Sequence, residues 1–303
     1  DLFAYMSSVA HDRNARKLEN KRKELIKTCM TGKKNAEKMQ PFEGDAGLRD
    51  SIASFFNITY IVLNEDFSKI VDMEEVAEQS YDLMEAYLLA QHKAGERLKE
   101  TSAMTVIEQQ HFAERHNIKL ISTPDEKSKK LAKAEKVFAN YNTYFLIFFK
   151  PYKQEMYVLD ALNRGDLNAL RQNMDALSAA ADEGMKKLDT TKAFANDQSV
   201  AQACKEMMKF YKEEATEKGK VFTDFLVQQD NFKKAKETFD AIAESKRKQE
   251  DVDKYNTAGA EYNKALNDYN KTNEYLNKKR TQLLERWNKS GPDFLNRHVP
   301  RDK

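Results

Sequence analysis

Apolar side chains recur every three to four positions along almost the whole chain, the spacing that gathers them on one face of an α-helix. The register is clearest in the last third. Phe225, Phe232 and Phe239 stand seven residues apart, and Tyr255, Tyr262, Tyr269, Leu276 and Leu283 repeat the interval after a short break. A strict seven-residue repeat keeps one seam toward a partner helix and implies left-handed supercoiled packing. The pattern predicts a helix opening at Asn196 or Asp197 and running to about Arg247, then a second from Val252 to Trp287. Paired, they form a long coiled-coil-like hairpin over 196–288. Tyrosines in the seam leave it partly polar, because each phenol needs a hydrogen-bond partner or water.

Upstream, a helix is predicted from about Tyr5 to Met39, stopped by Pro41, which has no amide hydrogen to donate. Asp45 reads as the N-cap of the next helix, which carries Leu48, Ile52, Phe55, Phe56 and Thr59 at helical spacing. A third segment spans Met73 to His116. Ile118 to Thr123 is short and β-prone, with Pro124 and Asp125 as a turn and helix start. A further helix, Lys127 to Lys150, ends in the all-round apolar stretch Tyr144 to Phe149, which argues for central burial. Gly165 and Asp166 mark the next break. Prolines at 41, 124, 151, 292 and 300 read as punctuation between helices. The resulting division is an N-terminal helical region, 1–123, and a C-terminal one, 124–303, packed as one continuous antiparallel bundle of the all-α class.

A faint repeat runs through this pattern at an offset of 152. Tyr5/Tyr157, Leu18/Leu170, Leu25/Leu177, Gly32/Gly184, Lys34/Lys186, Phe42/Phe194, Asp45/Asp197, Glu65/Glu217 and Asp72/Asp224 match. Gly32…Phe42-x-x-Asp45 and Gly184…Phe194-x-x-Asp197 both fall at a predicted helix–helix junction. The expectation is a duplicated helix–turn–helix.

Composition narrows the class. The 303 residues carry 51 Lys+Arg against 49 Asp+Glu, a net charge of +2, which weakens the case for a dedicated nucleic-acid binder. Lysine, a hydrated point charge, outnumbers the arginine favoured for phosphate and base-edge recognition, and it is interleaved with acids as on a solvated helix face. Only 9 Gly and 5 Pro exclude loop-rich sandwiches and collagen-like arrays. Two cysteines, Cys29 and Cys204, exclude a disulfide framework and are expected to be buried free thiols. The most apolar stretches, Ile52 to Leu63 and Tyr141 to Phe149, are too short or too polar to span a bilayer, so a soluble chain is expected. The chain begins at Asp1 with neither Met nor leader, which reads as a processed N-terminus and suggests export.

Little in the sequence carries chemistry. Glu108 and His111 form a Glu-x-x-His pair on one helix face, His111 and Glu114 a His-x-x-Glu pair, and His116 follows. A di-iron carboxylate bundle needs two Glu-x-x-His pairs, and no second one exists. Glu108, His111, Glu114 and His116 are therefore weak metal candidates, read instead as exposed polar residues near a helix end. No zinc, haem-attachment, phosphate-loop or nucleophile-elbow motif occurs. No catalytic residue, cofactor or enzyme activity is expected. Tyr255, Tyr262 and Tyr269 are the candidate binding face, an aromatic ladder for sugars or peptides set against a plain core seam. The tail from Pro292, with Trp287, Phe294, Arg297 and His298 near it, is the second place of interest.

In its few cysteines, its long Lys-rich helices and its two Gly…Phe-x-x-Asp junctions, the chain resembles the exported helical-bundle surface proteins and lipoproteins of bacteria. The resemblance implies a non-catalytic protein of the periplasm or cell surface. It would bind an unidentified protein or envelope component, with a membrane tether through a removed lipoprotein leader. The alternatives are a membrane-active, pore-forming rod built around Tyr141 to Tyr157, and a metal- or small-ligand-binding bundle around His111.

Overall fold

The computed structural model describes residues 2–11, 15–69, 76–121 and 126–302, with side chains from residue 17 in the second stretch. It is 88% helical and contains no strand among the described residues, an all-α bundle as the periodicity requires. The helices are α1 (Leu2–His11), α2 (Ala15–Lys38), α3 (Gly47–Ile61), α4 (Tyr81–Arg115), α5 (Glu126–Asn163), α6 (Leu167–Thr190), α7 (Ser199–Glu213), α8 (Gly219–Asp240) and α9 (Gln249–His298). The chain forms two compact units, residues 1–142 with 292–303, and residues 143–291.

Helix ends follow local chemistry. Helix α2 stops at Lys38, ahead of Pro41. Ser80 caps α4 by accepting from Leu83 N at 3.3 Å. The C-terminus of α4 closes with Asn117 in the left-handed region (φ 52°), Ile118 N–H donating to Ala113 O at 2.8 Å. Gly165 (φ 66°) ends α5 in the same way, and Asp166 caps α6 through Ala169 N.

Several expectations need correction. Pro151 and Pro292 lie inside α5 and α9 and end neither. An interior proline costs about 3 kcal/mol, and here the flanking side chains offset it. Phe148, Phe149, Trp287 and Phe294 are all buried, and Phe148 stacks on Trp287 at 4.3 Å. Asp45 stands one residue before the cap position, held by Ala46, and accepts the Gly47 N–H at 2.8 Å. The helix predicted to reach Arg247 ends at Asp240, where a 3₁₀ turn, Glu244–Lys246, begins the reversal. Ile118 to Ile121 form no strand. Met73, Ser122, Thr123, Pro124 and Asp125 lie outside the described residues.

The tail docks. Phe294 and Val299 are buried, His11 meets Asn296 Oδ1 and Val299 O, and Asp302 N–H donates to Ser7 Oγ. Tyr144, Ile147, Phe148 and Phe149 are buried, the central position their all-round hydrophobicity implied. Cys29 and Cys204 are both buried free thiols.

The offset of 152 reappears in the geometry. Helices α2 and α6 have bounds 152 residues apart, and so do α3 and α7. Each of α3 and α7 runs into a single π-helical turn, Val62–Asp66 and Glu214–Lys218, at the same separation. Both junctions turn tightly with two consecutive positive φ angles, Glu43 and Gly44 in one, Ala195 and Asn196 in the other. In both, the aspartate N–H donates to the phenylalanine carbonyl, Asp45 to Phe42 and Asp197 to Phe194. In both, the aspartate carboxylate accepts the first helical N–H, Gly47 or Ser199. Gly32 and Gly184 serve one purpose: an added Cβ would lie 2.5 Å from the Phe56 ring or 2.4 Å from Met208 Sδ.

Candidate functional site

Residues 143–291 contain a buried ionic cluster that the periodicity concealed. Glu155 on α5 and Glu214 at the start of the second π-turn are buried acids, at 2% and 0% exposure. Arg280 on α9 joins them: Nε donates to Glu155 Oε1 at 2.5 Å, Nη2 to Glu214 Oε1 at 2.6 Å and Nη1 to Asn277 Oδ1 at 2.5 Å. Its guanidinium also lies over the Phe210 ring, at 5.6 Å. The fully buried Tyr211 completes the group, and neither its hydroxyl nor Glu214 Oε2 has a donor or acceptor of its own. Burial pushes the Glu214 carboxyl up to about 9, with the neighbouring Glu155 charge raising it further. Burial likewise drives the Tyr211 phenol well above its ordinary range.

Two carboxylates against one guanidinium would leave a buried net charge, which a low-dielectric interior strongly disfavours. Arg280 holds Glu155 Oε1 and Glu214 Oε1 on one guanidinium, where two like charges repel unless one carboxyl carries a proton. A protonated Glu214 makes the cluster neutral. The arrangement therefore holds one proton and three helical segments together.

Along α8 and α9 the two heptad seams interdigitate. Phe239 stacks on Tyr255 at 4.8 Å, Phe232 on Tyr262 at 5.3 Å with planes 8° apart, and Phe225 on Tyr269 at 4.5 Å. Phe232 also meets Tyr255, and Phe225 also meets Tyr262. These contacts occupy faces of the rings of Tyr255, Tyr262 and Tyr269, which act as the hairpin's own seam. No residue from 227 to 275 is buried. This long stretch of helix offers its outer faces to solvent, with Asn256, Asn263 and Asn270 exposed beside the seam. An open depression continues that face, lined by Asn270, Asn273, Asn277, Lys278 and Gln282.

The histidine candidates are partly gathered, around Asp45 on the first junction. Arg115 donates to Asp45 Oδ2 at 2.8 Å and to Glu108 Oε1 at 2.6 Å. The His116 ring nitrogens face Asp45 Oδ2 at 3.0 Å and Glu43 Oε2 at 3.2 Å, between the Phe42 and Phe112 rings. Arg115 and the Gly47 amide hold the Asp45 carboxyl far below the usual carboxylate range. His111 is mostly exposed, 3.9 Å from Glu108, and Glu114 lines a separate open depression with Asn117 and Lys119. A guanidinium thus sits between the acids, as ion-pair partner of both Asp45 and Glu108. Among the described residues no group of three or more His, Cys, Asp or Glu side chains is placed to hold a metal ion. No helix there is long and apolar enough to cross a membrane.

No family model matches the chain, and comparisons with curated proteins and with solved structures return no match.

Proposed function

We propose that the chain is a non-catalytic, exported helical-bundle protein that binds or braces another macromolecule at the cell envelope. The observation that supports this reading is the α8–α9 hairpin. Nearly fifty consecutive residues form two long helices that bury nothing fully, an outlay of ordered chain that a core alone does not require. Its aromatic side chains stack on each other, leaving polar, Asn-rich outer faces as the contact surface. The partner is a protein or envelope component that recognises a rigid helical face through hydrogen bonds. The same reading includes an internal duplication, supported by the matched bounds, π-turns and junctions of α2–α3 and α6–α7.

Photoreactive residues placed at Asn256, Asn263 and Asn270 in the living source cell test this. A discrete macromolecular adduct from these positions, with the protein in the envelope fraction, is expected. Absence of an adduct at all three sites, or residence in the cytosol, would refute it.

A further inference from the structure

The two π-turns provide an internal comparison. Val62 opens the first and Glu214 the second, at equivalent places, and both are fully buried. A π-turn leaves backbone groups without their usual helical partners. In the first turn Arg22 of α2 reaches across to donate to Leu63 O at 2.7 Å, over apolar neighbours. The second turn has Met174 of α6 at the position of Arg22, its sulfur against Gly219. The fold thus builds the same turn with a valine. A buried carboxyl is not needed for the geometry, and buried charges kept without structural need are concentrated at functional places.

Glu214 lies where the hairpin is rooted. Helix α8 begins at Gly219, directly after the turn, and Arg280 sits one turn beyond Leu276, the first fully buried residue of α9 after the hairpin. We infer that Glu155, Glu214 and Arg280 form a proton-held lock on the root of the α8–α9 hairpin, closed while Glu214 carries a proton and released when the proton leaves. In the closed state both acids share Arg280. In release, the Glu214 O–H bond breaks, the proton passes to solvent, and a second carboxylate faces Glu155 in a dry site. The repulsion loosens the turn and with it the base of the hairpin.

The groups that face Glu214 are Glu155 of α5, Tyr211 of α7 and Arg280 of α9, with Tyr152 of α5 beside Tyr211. Around them lie Glu213, Lys218, Tyr275 and Lys279, which pair among themselves. From α6 comes Met174, its sulfur against Gly219 at the end of the turn. Only Glu155 and Arg280 act on Glu214 strongly, with opposite signs. The folded state keeps the proton above the pH at which the unfolded chain loses it. Stability from the lock is therefore complete at and below the ordinary carboxylate range. It falls as pH rises and is gone above the folded-state value of about 9. The inference does not depend on what the hairpin binds.

The test compares the full chain with Glu214→Gln, which stays neutral at every pH, and with Glu155→Gln, which removes the repelling partner. Between pH 6 and pH 8.5, wild-type folding should weaken by up to about tenfold per pH unit relative to Glu214→Gln, the slope for one proton, and by a smaller factor relative to Glu155→Gln, where burial still raises Glu214. Amide exchange at residues 211–222 and 276–283, taken as a wild-type to Glu214→Gln ratio at each pH, should rise over the same range. Infrared spectra at pH 7 should show one protonated carboxyl in the wild type and none in Glu214→Gln, a readout independent of the variants' stability. Parallel stability profiles, a pH-independent exchange ratio or no protonated carboxyl at pH 7 would each overturn the lock.

Discussion

Replacing Phe232 by Ala isolates what holds the hairpin together. The ring touches two tyrosines, Tyr262 at 5.3 Å and nearly parallel, Tyr255 at 5.6 Å and tilted by 36°. Each such pair contributes about 0.5–1.5 kcal/mol beyond its area. A fully buried Phe→Ala change costs about 3–5 kcal/mol, and the partial exposure of Phe232 lowers that. The expected loss is about 2–3 kcal/mol. Because nothing from 227 to 275 is buried, the loss should appear as local opening. Amide exchange over roughly 229–265 should accelerate by about 30- to 150-fold, while the core around Cys204 and Met207 keeps its protection. Phe232→Leu, which retains apolar bulk without the stacking face, should show about half the effect. A double-mutant cycle with Tyr262→Ala should return a coupling of about 0.5–1.5 kcal/mol. Unchanged exchange in Phe232→Ala, or single-mutant losses with no coupling, would refute the ladder as the source of the hairpin's order.

Gly184→Ala should destabilise the chain by about 1–2 kcal/mol in chemical denaturation, since a Cβ 2.4 Å from the buried Met208 sulfur overpacks the contact and outweighs the gain in helix propensity. Asp45→Asn should lower the thermal midpoint at neutral pH by loosening the Arg115–Asp45–His116 network. The sign follows from the depressed Asp45 carboxyl, whose contribution is present above the ordinary carboxylate range and lost as pH falls through its lower folded value. The difference between Asp45→Asn and wild type should therefore shrink on acidification, and a constant difference down to strongly acid pH would contradict it.

The heptad seam was legible because its residue types and its period agree, so Phe232 and Tyr262 announce a partner helix without any tertiary knowledge. Helix ends were legible where one residue decides them, as at Gly165 and Asp166. Pro151 and Pro292 misled because a local rule was overridden by packing: the aromatic residues around them bury enough to carry a broken backbone bond. The ionic cluster went unseen because acids are abundant in a chain that is 33% charged, and each looks like one more solvated side chain. A signal existed nonetheless. Glu155 interrupts the stripe Tyr144, Phe148, Pro151, Val158, Leu162, and Arg280 sits in register between Leu276 and Trp287. Glu214 continues the face of Cys204, Met207 and Tyr211. Three charges, each in an apolar register, had to meet, and only the packing of α5, α7 and α9 shows that they do. Glu108 and His116 share a network for a reason equally invisible in their spacing: Asp45 arrives from a junction some seventy residues away and binds both Arg115 and His116.

The pairing of α8 with α9 in solution is the most direct test of the whole account. Spin labels at the exposed Lys233 and Glu261 flank the Phe232–Tyr262 stack from opposite helices. Pulsed dipolar spectroscopy on the full chain should give one narrow distribution at the short separation of adjacent antiparallel helices. A broad distribution reaching to long distances would mean that the two helices do not form a rigid face, and the functional reading built on it would fall.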